Sequence, residues 1–251
     1  MAMNTLSFLF FNSTGWSEFK SDTLNTQLES LNVSIGVIQE HLQLKDNLHR
    51  IDIKLPNYTA FSIPAYKRND IISKGRSSGG LSFLVRRDME QTVKHFTVPN
   101  SRRVHGLFVK LPGTSLVLIN CYFPNDPQDN NFYDASLLET LEDIRYIFNA
   151  CNINDVPILM GDFNCDFSRD SRFVQIVKNF LTEYNLRTMW SDFECDFTYC
   201  HPCTRNNRVV YSFSTIDHFI LNENYVNSVE DASVIHLAEN LSNHDSIYLR
   251  I

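Results

Sequence analysis

The stretch Pro157-Ile158-Leu159-Met160-Gly161-Asp162-Phe163-Asn164-Cys165-Asp166-Phe167 (PILMGDFNCDF, residues 157–167) decides how the rest of the chain is read. Its first half is apolar and opened by proline, which predicts a buried strand. The run then stops on Asp-x-Asn. Residues i and i+2 of a strand project to the same side, so Asp162 and Asn164 are expected to stand together at the strand's carboxyl end. A carboxylate and an amide converging there need a cation, a phosphate or a hydrogen-bond network.

The same pattern recurs along the chain. Strands are expected over 6–12, 34–40, 79–87, 104–111, 114–124 and 213–221, with shorter ones at 196–199, 232–237 and 245–251. Helices are expected over 21–32, with Ser21 or Asp22 as the cap, and over 135–148 and 171–184. In the second helix Leu137, Leu138, Leu141, Ile144, Ile147 and Phe148 are assigned to one face. Runs of strands interrupted by single helices predict two packed sheets with helices outside rather than one doubly wound parallel sheet. No repeat or linker divides the 251 residues, so 1–251 reads as one domain.

Strand after strand ends on a chemically useful residue: Asn12, Gln39-Glu40, Asn120-x-Tyr122-x-Pro124, Asp162-x-Asn164, Thr198, Asp217-His218 and Ser242-Asn243-His244-Asp245. Singly, Asn12 is a turn cap, Tyr122 a core residue and Asp217 a turn residue. Together they form the set that metal-assisted phosphodiester hydrolysis needs. Glu40 supplies an oxygen ligand to a hard divalent cation. Asn12, Asn164 and a protonated His244 supply donors for the charge developing on the phosphate. Asp162 can align and deprotonate a water, Asp217 can fix the tautomer of His244, and Tyr122 adds a phenol at the same mouth. No P-loop, nucleophile elbow or zinc-hydrolase cluster competes with this reading.

Composition narrows the surroundings. The net charge of −7 argues against a general nucleic-acid binder but leaves room for a nuclease with an acidic cleft inside a locally basic rim. Rim candidates are Lys67-Arg68, Lys74 and Arg76, Arg86-Arg87, Arg102-Arg103, and Arg205 with Arg208. No apolar run is long enough to span a bilayer, and the first residues lack a basic n-region, so an intracellular protein away from membranes is expected. The six cysteines read as reduced thiols. Cys195, Cys200, His201 and Cys203 are the candidates for zinc, although the second ligand pair of a closed site is missing.

These motifs, in this order from Asn12 to the chain end, resemble the endonuclease/exonuclease/phosphatase superfamily, the group of pancreatic deoxyribonuclease and apurinic/apyrimidinic endonucleases. Within it the stretches FTYCHPC, YSFSTIDHFIL and ENLSNHDSIYLRI are most similar to the apurinic-endonuclease-like domain of non-LTR (LINE-type) retrotransposons. The resemblance implies a four-layer α-β-β-α sandwich of two mixed sheets, with the site where the sheets open. It implies Glu40 as main magnesium ligand helped by Asn12, with manganese as a substitute. Asp162 would orient the water, Asn164 the phosphate, and Tyr122 and Thr198 would contact the phosphate region. Asp217 and His244 would form a carboxylate–imidazole pair, and Ser242 would support the last loop.

The segment between Thr198 and Ser214 corresponds to a hairpin placed at the DNA. The implied activity is nicking of double-stranded DNA to leave a 3′-hydroxyl primer for target-primed reverse transcription, with a reverse transcriptase domain of the same polyprotein as partner and the nucleus as site of action. An abasic-site repair endonuclease, a phosphatase or phosphodiesterase, and a catalytically decayed DNA-binding remnant, for which Asn243 is the hint, are the alternatives. One residue departs from the family: Asn243 stands where Ser-Asp-His is usual, which keeps an oxygen but removes a charge.

Overall fold

The computed structural model describes residues 5–67, 77–125, 131–205, 208–237 and 242–251. In chain order the elements are β1 (Ser7–Asn12), α1 (Glu18–Ser30), β2 (Ile35–Gln39), β3 (Tyr58–Ile63), β4 (Tyr66–Lys67), β5 (Ser77–Ser78) and β6 (Leu81–Arg86). Then come β7 (Val93–Thr97), β8 (Val104–Leu111), β9 (Thr114–Cys121), α2 (Asn131–Ala150), β10 (Asp155–Asp162) and α3 (Arg172–Glu183). The last third holds β11 (Leu186–Thr188), β12 (Tyr199–Arg205), β13 (Arg208–Ser214), β14 (Asp217–Asn222), β15 (Asp231–Ile235) and β16 (Ser246–Arg250).

Two six-stranded mixed sheets carry the fold, one ordered β15-β16-β1-β2-β6-β3 and the other β11-β14-β10-β9-β8-β7. Side-chain alternation sorts each strand between two cores. Phe8 and Phe10 of β1 point between the sheets, where Val37, Phe83, Leu107, Leu118, Ile158 and Phe219 meet them. Leu9 and Phe11 point outward under Leu24 and Leu28 of α1. On the far side, Ile119 and Leu159 lie under Leu141 and Ile144 of α2 and Val177 of α3. The result is the four-layer α-β-β-α sandwich expected from the sequence.

Several boundaries differ from the sequence expectation. The first helix begins earlier and is capped by Ser17, whose side chain accepts from Lys20 N, whereas Ser21 is buried inside the helix. Leu138 is 49% exposed, so the buried face of α2 runs through Leu137, Leu141, Ile144 and Ile147 without it. The strands β3 and β7 were not expected, because their polar and charged residues mask alternation at sheet edges. The strand expected over 213–221 is broken after Ser214, and β14 starts at Asp217. Arg68, Lys74 and Arg76 lie outside the described residues, as does the side chain of Arg205.

Each sheet has a parallel pair near its centre: β1 with β2, and β9 with β10. Parallel strands end on the same side. The register places Asn12 beside Gln39 in one sheet and Met160 beside Asn120 in the other. In the antiparallel pair β10–β14, Asp162 stands directly opposite Asp217. The functional ends of five strands are thereby gathered at one mouth.

Candidate active site

Gln39 aligns the two sheets at this mouth. Its Nε2 donates to Asn120 Oδ1 (2.6 Å) and to the Cys121 carbonyl (2.9 Å), and its Oε1 accepts from the Asp162 backbone N–H (3.0 Å). Asn120 Nδ2 in turn donates to the Ile38 carbonyl at 3.2 Å. Both side chains are fully buried, and these bonds satisfy groups that would otherwise be stranded in the core. Gly161 allows this approach. A Cβ there would sit 2.0 Å from the Cys121 carbonyl oxygen and 2.6 Å from Gln39 Nε2.

Above this seam the amide of Asn12 joins two carboxylates. Its Nδ2 donates to Glu40 Oε1 and to Asp162 Oδ2, each at 3.0 Å, while its Oδ1 accepts from Thr14 N at 3.1 Å. Glu40 (φ 49°) and Asn164 (φ 47°) both follow strand ends in the left-handed region. Non-glycine residues are held there only where surrounding structure imposes it, commonly at functional sites. Asn164 is fixed twice. Its N–H donates to Asp162 Oδ1 (2.8 Å) and its Nδ2 to the Phe123 carbonyl (3.0 Å).

The opposite wall is the pair Asp217–His244. His244 Nδ1 lies 2.9 Å and 3.1 Å from the two Asp217 oxygens, which fixes the N–H on that nitrogen, and its Nε2 faces Asp162 Oδ2 at 3.8 Å. Ser242 holds the loop. Its hydroxyl donates to the Asn12 carbonyl (2.8 Å), accepts from His244 N (3.2 Å) and lies 3.2 Å from Thr14 Oγ1. Thr198 is fully buried, and its Oγ1 accepts from the N–H groups of Ile216 and Asp217 (3.0 Å each). It therefore stands behind the site and breaks the β13–β14 run, which places Asp217, instead of lying on the surface where a phosphate contact was expected.

Tyr199, next in the chain, was missed by sequence reasoning. It forms an isolated bridge with His244, and its ring lies 4.7 Å from the imidazole. A tyrosine at the start of a strand carries no signal of this in one dimension. Asn243 is exposed; its carbonyl accepts from Cys200 N (2.8 Å), and its side chain interacts with the Tyr199 phenol. Tyr122 lies half-buried at the rim with the Arg103 guanidinium over its ring at 5.4 Å. His218, despite its neighbour, is structural. Its Nε2 lies 2.9 Å from the Cys165 carbonyl, and burial lowers its pKa to about 4.

The zinc candidates do not converge. Cys200 and Cys203 alternate to opposite faces of β12, Cys195 lies 3.7 Å from Thr215 Oγ1, and among the described residues none of them joins a metal-ligating group.

The electrostatics follow from the crowding. Burial, then the charge of Asp217 opposite, pushes Asp162 up to about 7, although His244 and the Asn164 N–H work against this. Burial alone would lower His244, but Asp217, through charge and hydrogen bond, with Asp162 and Glu40, lifts it to about 9. Burial, then Glu40 and Asp162, pushes the Tyr122 phenol up strongly. Ligand atoms of Asp162, Asp217 and His244 lie within 4.8 Å of one another. With Glu40 added, three carboxylates face one imidazole. That excess of negative oxygen fits a hard divalent cation. Both nitrogens of His244 already face carboxylates, so Glu40, with Asn12 and Asp162 beside it, is the oxygen set able to hold one.

The fold is shared widely among solved structures. The AP endonuclease LMAP from Leishmania major superposes with a TM-score of 0.73 at 14% identity, covering 98% of this chain and 87% of that one. The endonuclease domain of TRAS1, a telomere-specific non-LTR retrotransposon, gives 0.69 at 15% identity, covering 98% of each chain. The 3′ phosphatase NExo from Neisseria, bound to a product DNA hairpin, gives 0.70 at 16% identity, covering 97% of this chain and 98% of that one. No curated protein sequence matches. Sandwich and site together define a metal-dependent phosphodiesterase class of hydrolase. The chain belongs to the endonuclease/exonuclease/phosphatase family, whose profile matches residues 1–242.

Proposed function

We propose that the protein is a magnesium-dependent endonuclease that nicks one strand of double-stranded DNA and leaves a 3′ hydroxyl. The observation that carries this is the convergence of Asp162, Asp217 and His244 with the Asn12–Glu40 pair, all buried or half-buried at one mouth. Glu40, with Asn12 and Asp162 beside it, would hold a divalent cation, magnesium or in its place manganese, which would supply charge neutralisation at the scissile phosphate. Asp162, as carboxylate, orients a water and takes its proton as the water oxygen bonds to phosphorus. The P–O3′ bond breaks and the departing 3′ oxygen takes up a proton from the surrounding water, leaving a 3′ hydroxyl and a 5′ phosphate. His244, kept protonated by Asp217, donates from Nε2 to the developing oxyanion, and Asn164 and Tyr122 bracket the same phosphate.

DNA is favoured as substrate by the rim. Arg102 lies over Tyr66 at 4.7 Å, and Arg103 lies over Tyr122, so cations lead into the acidic mouth. The hairpin β12–β13 presents Val209, Tyr211 and Phe213, all more than half exposed, beside the site. The stretches FTYCHPC, YSFSTIDHFIL and ENLSNHDSIYLRI favour reading the chain as one domain of a retrotransposon polyprotein acting in the nucleus, its 3′ hydroxyl priming that polyprotein's reverse transcriptase, and the fold shared with the TRAS1 endonuclease domain is consistent with this reading.

Nicking of supercoiled plasmid with magnesium, lost with EDTA and in Asp162→Ala and His244→Ala proteins, is the expected result. Intact plasmid untouched while an abasic duplex is cut would move the substrate to damaged DNA. Release of phosphate from a 3′-phosphorylated oligonucleotide, without nicking, would make the protein a phosphatase.

A further inference from the structure

Outside the site, His236 lies between two acids from different segments. Its Nδ1 is 2.8 Å from Asp245 Oδ2, and its Nε2 is 3.0 Å from Asp196 Oδ1. A neutral imidazole carries one N–H and would present a lone pair to one of these carboxylates; only the imidazolium donates to both. Asp245 follows His244 directly, is 5% exposed, and donates its own N–H to the Thr198 carbonyl at 2.8 Å. Asp196 is exposed, accepts from Phe197 N at 2.9 Å, and stands two residues before Thr198. The Phe197 ring lies 4.7 Å from His236 and 4.6 Å from Phe213 of the hairpin. Two segments that shape the site thus meet on one ring: the one leading through Thr198 and Tyr199 into the hairpin, and the one carrying His244.

We propose that His236 is a positioning residue which, as an imidazolium bonded to Asp196 and Asp245, fixes the Thr198–Tyr199 segment against the His244 loop. This rests on the function proposed above. Among the described residues Asp196 and Asp245 are the ionised groups that face the ring, and Asp217 acts on it only through Asp245. Burial opposes the charge on His236, and the two carboxylates outweigh it, so its pKa is raised. The contact is therefore complete below the ordinary histidine range and is lost as pH rises through the raised value. The exposed Asp196 arm is released first, because Asp245 is buried and also held by its backbone.

The test combines proton titration of His236 by NMR, hydrogen exchange of the 195–217 and 242–246 peptides, and plasmid nicking across pH, for the full chain and for Asp196→Asn and His236→Gln. Exchange in both peptides, corrected for intrinsic base catalysis, should rise as His236 deprotonates. Asp196→Asn should shift that rise and the NMR titration to lower pH together. KM for DNA should increase 3- to 10-fold above the transition, with kcat within about twofold. Equal protection on both sides of the His236 titration would overturn the proposal. So would a KM profile unmoved in Asp196→Asn when the NMR titration has moved. Intact exchange behaviour with no nicking would instead overturn the nuclease reading and leave the positioning role standing.

Discussion

The seam between the sheets and the hairpin beside it are built on opposite principles, though they border one site. At the seam Asn12, Gln39, Asn120, Asp162 and Asp217 are essentially unexposed, and most of their polar atoms have named partners. In the hairpin, Val209, Tyr211 and Phe213 are 67%, 62% and 52% exposed, and β12 and β13 pair mainly with each other. The seam fixes charge geometry through buried hydrogen bonds. The hairpin offers apolar area whose energy is realised only when something covers it. On the proposed function this separates chemistry from recognition: substitutions in the seam should change kcat and stability, and in the hairpin KM.

The largest effect that would break this division is at Asp162. Asp162→Asn should lower kcat by about 10²–10⁴-fold, the usual range for a lost general base, with little change in KM. The same variant should melt higher than the parent at pH 8 without metal, since it removes one of two facing buried carboxylates. A lower melting temperature would mean that the cluster stabilises the fold instead of straining it.

Next is Gln39→Ala, which strands the Asp162 N–H and the Asn120 Oδ1. It should cost about 1–3 kcal/mol in urea unfolding and reduce kcat as well, although Gln39 touches no substrate.

The pH dependence of the metal-free protein is third. Asp162 and His244 both have folded pKa values above their ordinary ones, about 7 and about 9. Each contributes stability in the protonated form that is complete at low pH and lost as pH rises through its folded value. Unfolding free energy should therefore fall as pH rises from about 4, through the folded value of Asp162, to about 9, the folded value of His244, by on the order of a few kcal/mol. Magnesium should reduce the fall; a flat profile would remove the charge crowding from the account.

On the other side of the comparison, the double variant Val209→Ser and Tyr211→Ser should leave the urea midpoint unchanged and raise KM for duplex DNA about 3- to 10-fold with kcat within twofold. A matching loss of stability would show that the hairpin belongs to the core after all. The smallest effect should come from Asn243→Asp. Asn243 is exposed and partnered by Tyr199 and Cys200, so restoring the charge should tighten magnesium activation only a few-fold, read from the metal dependence of nicking.

Local pattern was enough for much of this. Fully apolar runs such as Phe8–Phe11 and Ile158–Met160 announced strands buried on both faces, which requires layers on both sides. The amphipathic stretch Arg172–Glu183 announced the helix that covers one of them. The recurrence of polar residues at strand ends singled out Asn12, Glu40, Asp162, Asp217 and His244 as a set, and the structure brings them to one mouth. Edge strands β3 and β7 were illegible for the converse reason: their outward residues face water and lose the alternation.

What the sequence by itself determined is which strands are buried and which residues close them. Only the tertiary structure decided that Thr198 is a backbone support, that His218 is core, that Tyr199 lies on His244, that the cysteines of β12 stay apart, and that Asp245 turns to His236. The physical reason is register. Whether two side chains meet across strands distant in the chain depends on hydrogen-bond pairing and on a few buried amides such as Gln39, and a one-residue slip would send each of them to the opposite face.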